Sequence, residues 1–446
     1  MAKNDNLQDF LTDVADAIRA KKGTTDKINP QDFSSEIASI QSGVEPKEMK
    51  DVNFYDYDGT ILYSYSWDEA LLLTEMPPLP SHDGLICQGW NWTLEEMQAN
   101  EGMCDVGAMY ITDDGRTRLY INVEDEESKL VQIIFAGGGN EATGIIHWGD
   151  GSVNNVSRNN GIYDTTSHTY KTNGKYVIEY EPLSGRALFG KDSSNPIMGS
   201  RIGSQKALYK IECGSNIILH QYSLYNLYYL ESVTFSREIN FVGNANLFTN
   251  TQVKHLSLPR CDTFPLIGDS SIYTVAINGN ITDAKGSFAK LTQVKRLIFP
   301  KGCISKSGSQ TFHSCYHLSK IHNIEMYQLL SYTFYSNILM QHTPTLNDSI
   351  TLIGQACFSS CKSLKEIIVP ASVTKIEQQA FNGCTSLTYI DFTKLSAVPT
   401  LDNANAFTGI PADCEIRVPM ALADEWKAAT NWSTYADYIV GIETNN

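Results

Sequence analysis

Residues 380–398 read AFNGCTSLTYIDFTKLSAV, and the preceding copy, residues 357–376, reads CFSSCKSLKEIIVPASVTKI. In each, a Phe (Phe381, Phe358) is followed at plus three by Cys (Cys384, Cys361), at plus six by Leu (Leu387, Leu364), and then by an alternating apolar strand. The same phase recurs at Leu224, Phe248, Phe288, Phe312, Phe334 and Phe407, with starts 22–26 residues apart except for one irregular interval between Phe248 and Phe288. A copy holding one short strand and one turn cannot bury its own apolar face, so it must stack on its neighbours. The period predicts a solenoid over residues 201–420 with its parallel strands in one long sheet. Leu364, Ile367 and Val369 line one coil, and Leu387, Ile390 and Phe392 the next.

Cys315, Cys361 and Cys384 hold the same place in their copies, which predicts a stack of buried free thiols behaving as small hydrophobes. The expected repeat core is therefore Phe312, Cys315, Phe358, Cys361, Leu364, Phe381, Cys384 and Leu387. Zinc or a catalytic thiol would need a Cys–His pairing that this spacing does not supply, and His313 and His317 read as turn surface. No metal, cofactor or catalytic residue is assigned.

The Phe, Cys, Leu and Ile of AFNGCTSLTYI resemble the BspA-type leucine-rich repeat, which implies a solenoid used in adhesion or general binding. CEIRVPMALADEWKAATNWSTYADYIVGI, residues 414–442, resembles the end of such an array. One last strand reaches Val418-Pro419, and a helix with Leu422, Trp426 and Ala429 covers the open edge, which would otherwise be a sticky template.

Composition narrows the function classes. The net charge is -16 and only 19% of residues are charged, so the chain is poorly suited to neutralising nucleic-acid phosphates. No stretch of 18 or more apolar residues predicts a membrane span. The amino terminus, MAKNDNLQDFLTDVADAIRAKKG, does not read as a signal peptide. It reads as an amphipathic helix, with Leu7, Phe10, Leu11, Val14, Ala17 and Ile18 on one face and Gly23 as its stop. Asn29 and Pro30 start a second short helix carrying Phe33, Ile37 and Ile40. Together these predict a helical attachment module.

Residues 50–130 turn strand-like, as VNFYDY, TILYSY, AMYITD and RLYINV. DDG at 113–115 predicts a hairpin between the last two, and Thr93 before Glu95 and Glu96 predicts a helix start. HWGDGS at 147–152 with SHTYKTNGKYVIEY at 167–180 resembles a polycystic-kidney-disease-type (PKD) immunoglobulin-like domain, implying a spacer or binding module without chemistry. LTDVADAIRAKKGTTDKINPQDFSSEIASI resembles a leader of bacteriophage tail and structural proteins. Residues 51–92 with DVGAMYITDDGRTRLYI resemble a segment that accompanies it.

One motif suggests chemistry. DYDGTIL, residues 56–62, has the Asp-x-Asp-Gly-Thr pattern of a haloacid-dehalogenase-like phosphatase, with Asp56 as nucleophile and Asp58 as acid. Yet Thr60 runs directly into the strand ILYSY, which suits a hairpin through Asp58-Gly59. The odd spacing of Asp56, Asp58 and Thr60, and the Asp113-Asp114 and Asp150 turns, also suggest calcium, but none completes an EF-hand. Trp67, Trp90, Trp92 and Trp148 suggest a sugar-stacking platform, but Trp90 and Trp92 read in preference as packing the domain core or a subunit contact.

The resulting expectation is a multidomain chain: a helical module at 1–45, a β-rich domain at 46–128, a PKD/Ig-like β-sandwich at 129–200, a leucine-rich-repeat solenoid at 201–420 and a capping helix and tail at 421–446. The phage resemblances imply a non-enzymatic virion protein of tail, fibre or capsid decoration, released by lysis. Its expected partners are other virion proteins and a host surface glycan or protein, with no nucleic acid and no membrane insertion, and a homotrimer is the candidate assembly. The alternative is a bacterial cell-surface or secreted leucine-rich-repeat adhesin, for which a signal peptide or wall anchor is expected.

Overall fold

The computed structural model describes residues 49–82, 87–100, 102–110, 114–236, 239–243, 247–258, 271–278, 288–306 and 309–443. The expected helical module at 1–45 lies outside these residues. From Lys50 onward the chain is one compact unit, an amino-terminal mixed β region followed by a long β-solenoid.

The first sheet has the order β2-β1-β4-β3, from β1 (Val52–Tyr55), β2 (Ile61–Tyr65), β3 (Cys87–Trp90) and β4 (Cys104–Tyr110). Two short helices flank it, α1 (Trp67–Leu71) and α2 (Leu94–Ala99). Each begins with a capping box, Ser66 with Glu69 and Thr93 with Glu96, which satisfies two orphan backbone donors at the start of the helix. Val52, Phe54, Trp90, Trp92, Met97 and Val106 share a core of their own.

The strands flanking DDG do not form the expected hairpin. β4 stays in the first sheet, whereas β5 (Thr117–Val123) pairs with β10 (Gly174–Ser184) in the next. Leu119, Ile121 and Val123 alternate inward on β5 and find their apolar partners there, so burial overrides the turn signal.

β7 (Ala142–His147) and β8 (Val153–Arg158) complete that layer, order β5-β10-β7-β8. Against it pack β6 (Leu130–Gly137), β9 (Asp164–Thr169) and β11 (Ala187–Phe189), with Phe135 5.4 Å from Tyr180 across the gap. Trp148 is fully buried, and the Tyr170 hydroxyl donates to its carbonyl at 2.7 Å.

The solenoid grows directly out of both layers. Leu208–Cys213 pairs antiparallel with β5 and parallel with Ser232–Phe235, while Ile217–His220 pairs parallel with β11. One apolar interior runs from Leu119 to Ile439, so hydrogen-bonded sheets cross the module marks expected at 128 and 200.

In its regular part each coil carries two short strands, where one was expected. Glu366–Ile368, Tyr389–Asp391, Glu415–Pro419 and Ile439–Ile442 form one sheet, and Leu352–Ile353, Lys375–Ile376 and Thr400–Leu401 another. The strands are parallel, but they are split among several small sheets instead of one long one. The second strand is only two residues long, too short for alternation to betray it.

Two ladders hold the coils in phase. Phe288, Phe312, Phe334, Phe358, Phe381 and Phe407 stack face to face with centroids 5.3–5.7 Å apart. The residue two positions after each start is left-handed: Asn226, Asn250, Lys290, Ser314, Ser336, Ser360, Gly383 and Gly409, with φ of 59–81°. For a residue with a Cβ this costs roughly 1–2 kcal/mol. The conformation turns its N–H toward the next coil: Ser314 donates to Tyr335 O at 2.8 Å, Ser360 to Asn382 O at 2.7 Å and Gly383 to Thr408 O at 2.8 Å. Those bonds offset the strain.

The carboxy-terminal end is closed by α4 (Ala423–Ala428), preceded in the chain by the α3 helix (Ile202–Ala207) at the solenoid entry. Trp426 packs 5.0 Å from Phe392 and 4.5 Å from Trp432, which in turn covers Phe407 at 5.4 Å. The chain then adds a strand the sequence reading did not anticipate, Ile439–Ile442, alongside Glu415–Pro419.

Candidate functional site

Asp56 lies in a turn. Its N–H donates to Thr60 O at 2.8 Å and Gly59 N–H returns to Asp56 O at 3.0 Å, closing the β1–β2 hairpin with Gly59 at φ +87°. Its buried carboxylate accepts from Tyr57 N–H at 2.8 Å and Tyr110 O–H at 2.5 Å, and its other oxygen lies 2.7 Å from His82 Nε2. Burial, reinforced by Asp56, holds the Tyr110 phenol far above its ordinary value. The carboxylate thus locks an aromatic cluster, Tyr57, Tyr110 and His82, and does not address a phosphate pocket.

Other acidic turns are likewise engaged internally. Asp58 Oδ1 accepts from Thr60 N–H at 2.9 Å, and Asp114 from Arg116 N–H at 3.0 Å. Asp150 accepts from both the N–H and the hydroxyl of Ser152. Burial works to raise Asp150, but those bonds and the one to His168 prevail and hold it at about 2. Among the described residues no group of three or more His, Cys, Asp or Glu is placed to hold a metal ion. No described helix is long and apolar enough to cross a membrane.

The structure places Phe312, Phe358, Leu364, Phe381 and Leu387 in the solenoid interior. Cys315, Cys361 and Cys384 are buried free thiols. Each donates its S–H to the carbonyl of the Phe one coil or repeat earlier: Cys315 to Phe288 at 3.0 Å, Cys361 to Phe334 and Cys384 to Phe358 at 3.1 Å. Burial pushes the Cys315 thiol up to about 12 and raises the other two, so none is a thiolate at neutral pH. His313 stacks on Tyr335 at 5.1 Å and His317 Nδ1 contacts the Thr292 carbonyl. Trp90, Trp92 and Trp148 are buried, and Trp67 is half-buried. Trp90 Nε1 donates to Pro77 O at 2.9 Å and Trp92 Nε1 to Ile277 O at 2.8 Å.

Trp92 thereby belongs to an interface between the first sheet and the irregular part of the array. Asn91 donates to Ala276 O at 3.2 Å and accepts Asn278 Nδ2 on its own carbonyl at 2.5 Å. Gly107 sits where a Cβ would lie 2.0 Å from Ser257 Oγ, so only glycine permits this approach of strand to coil. Asp105 on β4 receives Arg296 Nη2 at 2.5 Å and Asn53 Nδ2 at 3.3 Å. Burial raises the Asp105 carboxyl even against the pull of Arg296. No local pattern announces this pair. The mid-strand Gly107 was the available signal of a close approach.

His255, buried at the same interface, stacks on Tyr55 at 5.6 Å with Nδ1 2.6 Å from Thr274 Oγ1 and Nε2 3.1 Å from Ser257 Oγ. Burial lowers its pKa to about 4, against the opposing charges of Asp58 and Asp56. The unfolded chain takes the proton near pH 6.5 and the folded one only near 4. This contribution to stability is therefore intact above pH 6.5 and falls by about 3 kcal/mol as the pH drops to 4. Urea midpoints across that range are expected to show the decline, and His255→Gln to flatten it.

The outward face of the carboxy-terminal sheet offers a preformed polar surface. Tyr389 O–H donates to Glu366 Oε2 at 2.6 Å, and the Arg417 guanidinium lies 3.8 Å above the Tyr389 ring while donating to Glu415 at 2.7 Å. Beside them a groove of about 290 Å³ is lined by His342, Pro344, Leu346, Glu366, Ile368 and Lys394.

Residues 198–277 and 282–411 match the family described as BspA type leucine rich repeat region, in six copies. Over those residues, just under half of the chain, the repeats match the BspA type. No curated protein matches the chain. Among solved structures it is similar to a leucine-rich repeat protein from Bacteroides ovatus, at 20% identity over 52% of this chain and 66% of that one, TM-score 0.35. It is also similar to a leucine rich cell surface protein from Faecalibacterium prausnitzii, at 13% identity over 53% and 87%, TM-score 0.23. The chain thus spans just under two thirds of the first of these structures.

These findings overturn the expectation of a phage particle component. The family matched over the array is a leucine-rich-repeat region, in six copies, and not a virion-protein family. The virion partners, the particle location and the fibre-like homotrimer fall with it. The amino-terminal resemblance misled because it rests on short segments, whereas the repeat recurs six times. Asp56 closes a hairpin and the cysteines of the array are buried free thiols, so among the described residues neither motif presents a catalytic group.

Proposed function

We propose that this chain is a bacterial surface protein that binds a protein or glycan of an extracellular or host surface. The observation that carries the reading is the BspA-type array itself, a rigid stack presenting outward side chains such as Glu366, Tyr389 and Arg417 in fixed register. A preordered row of this kind loses little entropy on contact. In this reading Phe312, Cys315, Phe358, Cys361, Leu364, Phe381, Cys384 and Leu387 serve the scaffold and touch no partner. The strands around Trp148 act as a PKD/Ig-like spacer, for which the two packed layers and the Tyr170–Trp148 bond speak. Residues 1–45 attach the chain, and the segment from 421 caps it.

Antibody raised against the array tests the location. Intact, unpermeabilised cells of the bacterium that encodes the chain are expected to stain. Signal that appears only after permeabilisation would sink the proposal.

A further inference from the structure

Where the two packed layers meet the first coil, the surface opens into a cleft of about 400 Å³, within the roughly 300–1,000 Å³ of small-ligand sites. Its walls come from separate parts of the chain: Asn122 and Glu124 at the end of β5, Lys175 at the start of β10, and Tyr209, Tyr229 and Glu231 from the coil. The framework is fixed by hydrogen bonds. Glu231 N–H donates to Tyr209 O at 2.8 Å, Asn122 Nδ2 to Glu124 Oε1 at 2.7 Å, and Asn173 Nδ2 to Glu124 O at 2.6 Å. Lys175 Nζ lies 5.6 Å from the Tyr209 ring centroid. Gly203 closes the base, where a Cβ would come within 2.2 Å of Glu127 O. Tyr229 remains 55% exposed and its neighbour Tyr228 50%, high values for large aromatic side chains.

We infer that this cleft binds a short neutral saccharide. A pyranose offers an apolar C–H face, which suits an exposed tyrosine ring, and hydroxyls that both donate and accept. The lining answers in kind, with carboxylate and amide acceptors beside an ammonium donor. An anion would face Glu124, Asp125, Glu127 and Glu231, and a cation would face Lys175 and Lys206. Lys206 already lies 4.0 Å from Glu127, and an uncharged polyhydroxylated ligand meets the other carboxylates and Lys175 with hydroxyls that donate and accept while burying no charge of its own. The inference goes beyond the surface-protein reading, since it assigns a ligand class and a place outside the outward sheet face. It fails independently of that reading, because cell staining does not depend on the cleft.

The test is saturation-transfer NMR of the full chain with a panel of neutral hexoses, N-acetylhexosamines and their disaccharides, with sialic acid and glucosamine as charged comparators. At least one neutral sugar is expected to bind in the millimolar range. Tyr229→Ala, an exposed change that spares the core, is expected to weaken it about tenfold. Glu231→Gln should weaken it less, and Tyr316→Ala on a distant turn should leave it unchanged. Absence of transfer from every neutral sugar overturns the inference. So does binding confined to a charged comparator, or affinity unmoved by both Tyr229→Ala and Glu231→Gln.

Discussion

Phe358→Ala is expected to destabilise the array by about 3–5 kcal/mol, the range for deleting a buried aromatic ring from a core that cannot collapse. The ring is fully buried and stacked between Phe334 at 5.3 Å and Phe381 at 5.4 Å. Its loss opens a void that both neighbours line, and coil spacing is set by the backbone bonds from Phe358 N–H to Ala380 O and Ser360 N–H to Asn382 O. The coils therefore cannot close up to fill it. Because each coil leans only on its neighbours, the damage should be local. Limited proteolysis is expected to cut near residues 358–384 before any other part of the array. Phe358→Leu, which keeps most of the volume, should recover most of the stability in urea unfolding. A Phe358→Ala protein with an unchanged midpoint would mean the ladder does not hold the coils in phase.

Asp105→Ala is expected to cost a comparable 3–5 kcal/mol, for an electrostatic reason. Arg296 is nearly buried and would keep its charge with its main counter-ion gone. The pair itself is no large source of stability, since burial already raises Asp105 against Arg296. The double change Asp105→Leu with Arg296→Met should therefore restore most of what the single change loses, and can exceed the parent. Tryptophan fluorescence is the suitable readout, because Trp92 bonds across the same interface. If the double variant were no better than Asp105→Ala, the loss would lie in packing and not in an orphaned charge.

Much of the solenoid was legible beforehand because its information is local and repeated. Phe381, Cys384 and Leu387 face inward at the same offsets in every regular copy, and Thr93 with Glu96 marks a helix start within a few residues of chain. The Asp58-Gly59 turn could likewise be separated from a phosphatase loop, since the strand beginning at Ile61 follows at once. The second strand of each coil escaped notice, being two residues of ordinary composition such as Lys375–Ile376. Ser66 with Glu69 opens a further short helix, Trp67–Leu71, with the same capping pattern.

Repetition and short-range pattern in the sequence by itself determined a stacked, thiol-lined array, its closing helix with Trp426 and its hairpin turn, because burial requirements and turn signals of this kind are local. The tertiary structure alone decided that β5 leaves its DDG partner for the second layer, that Asp105 meets Arg296, and that Tyr209, Tyr229 and Lys175 wall one cleft. Those meetings join residues far apart in the chain, where partner choice follows from which apolar faces fit and no local period records the outcome.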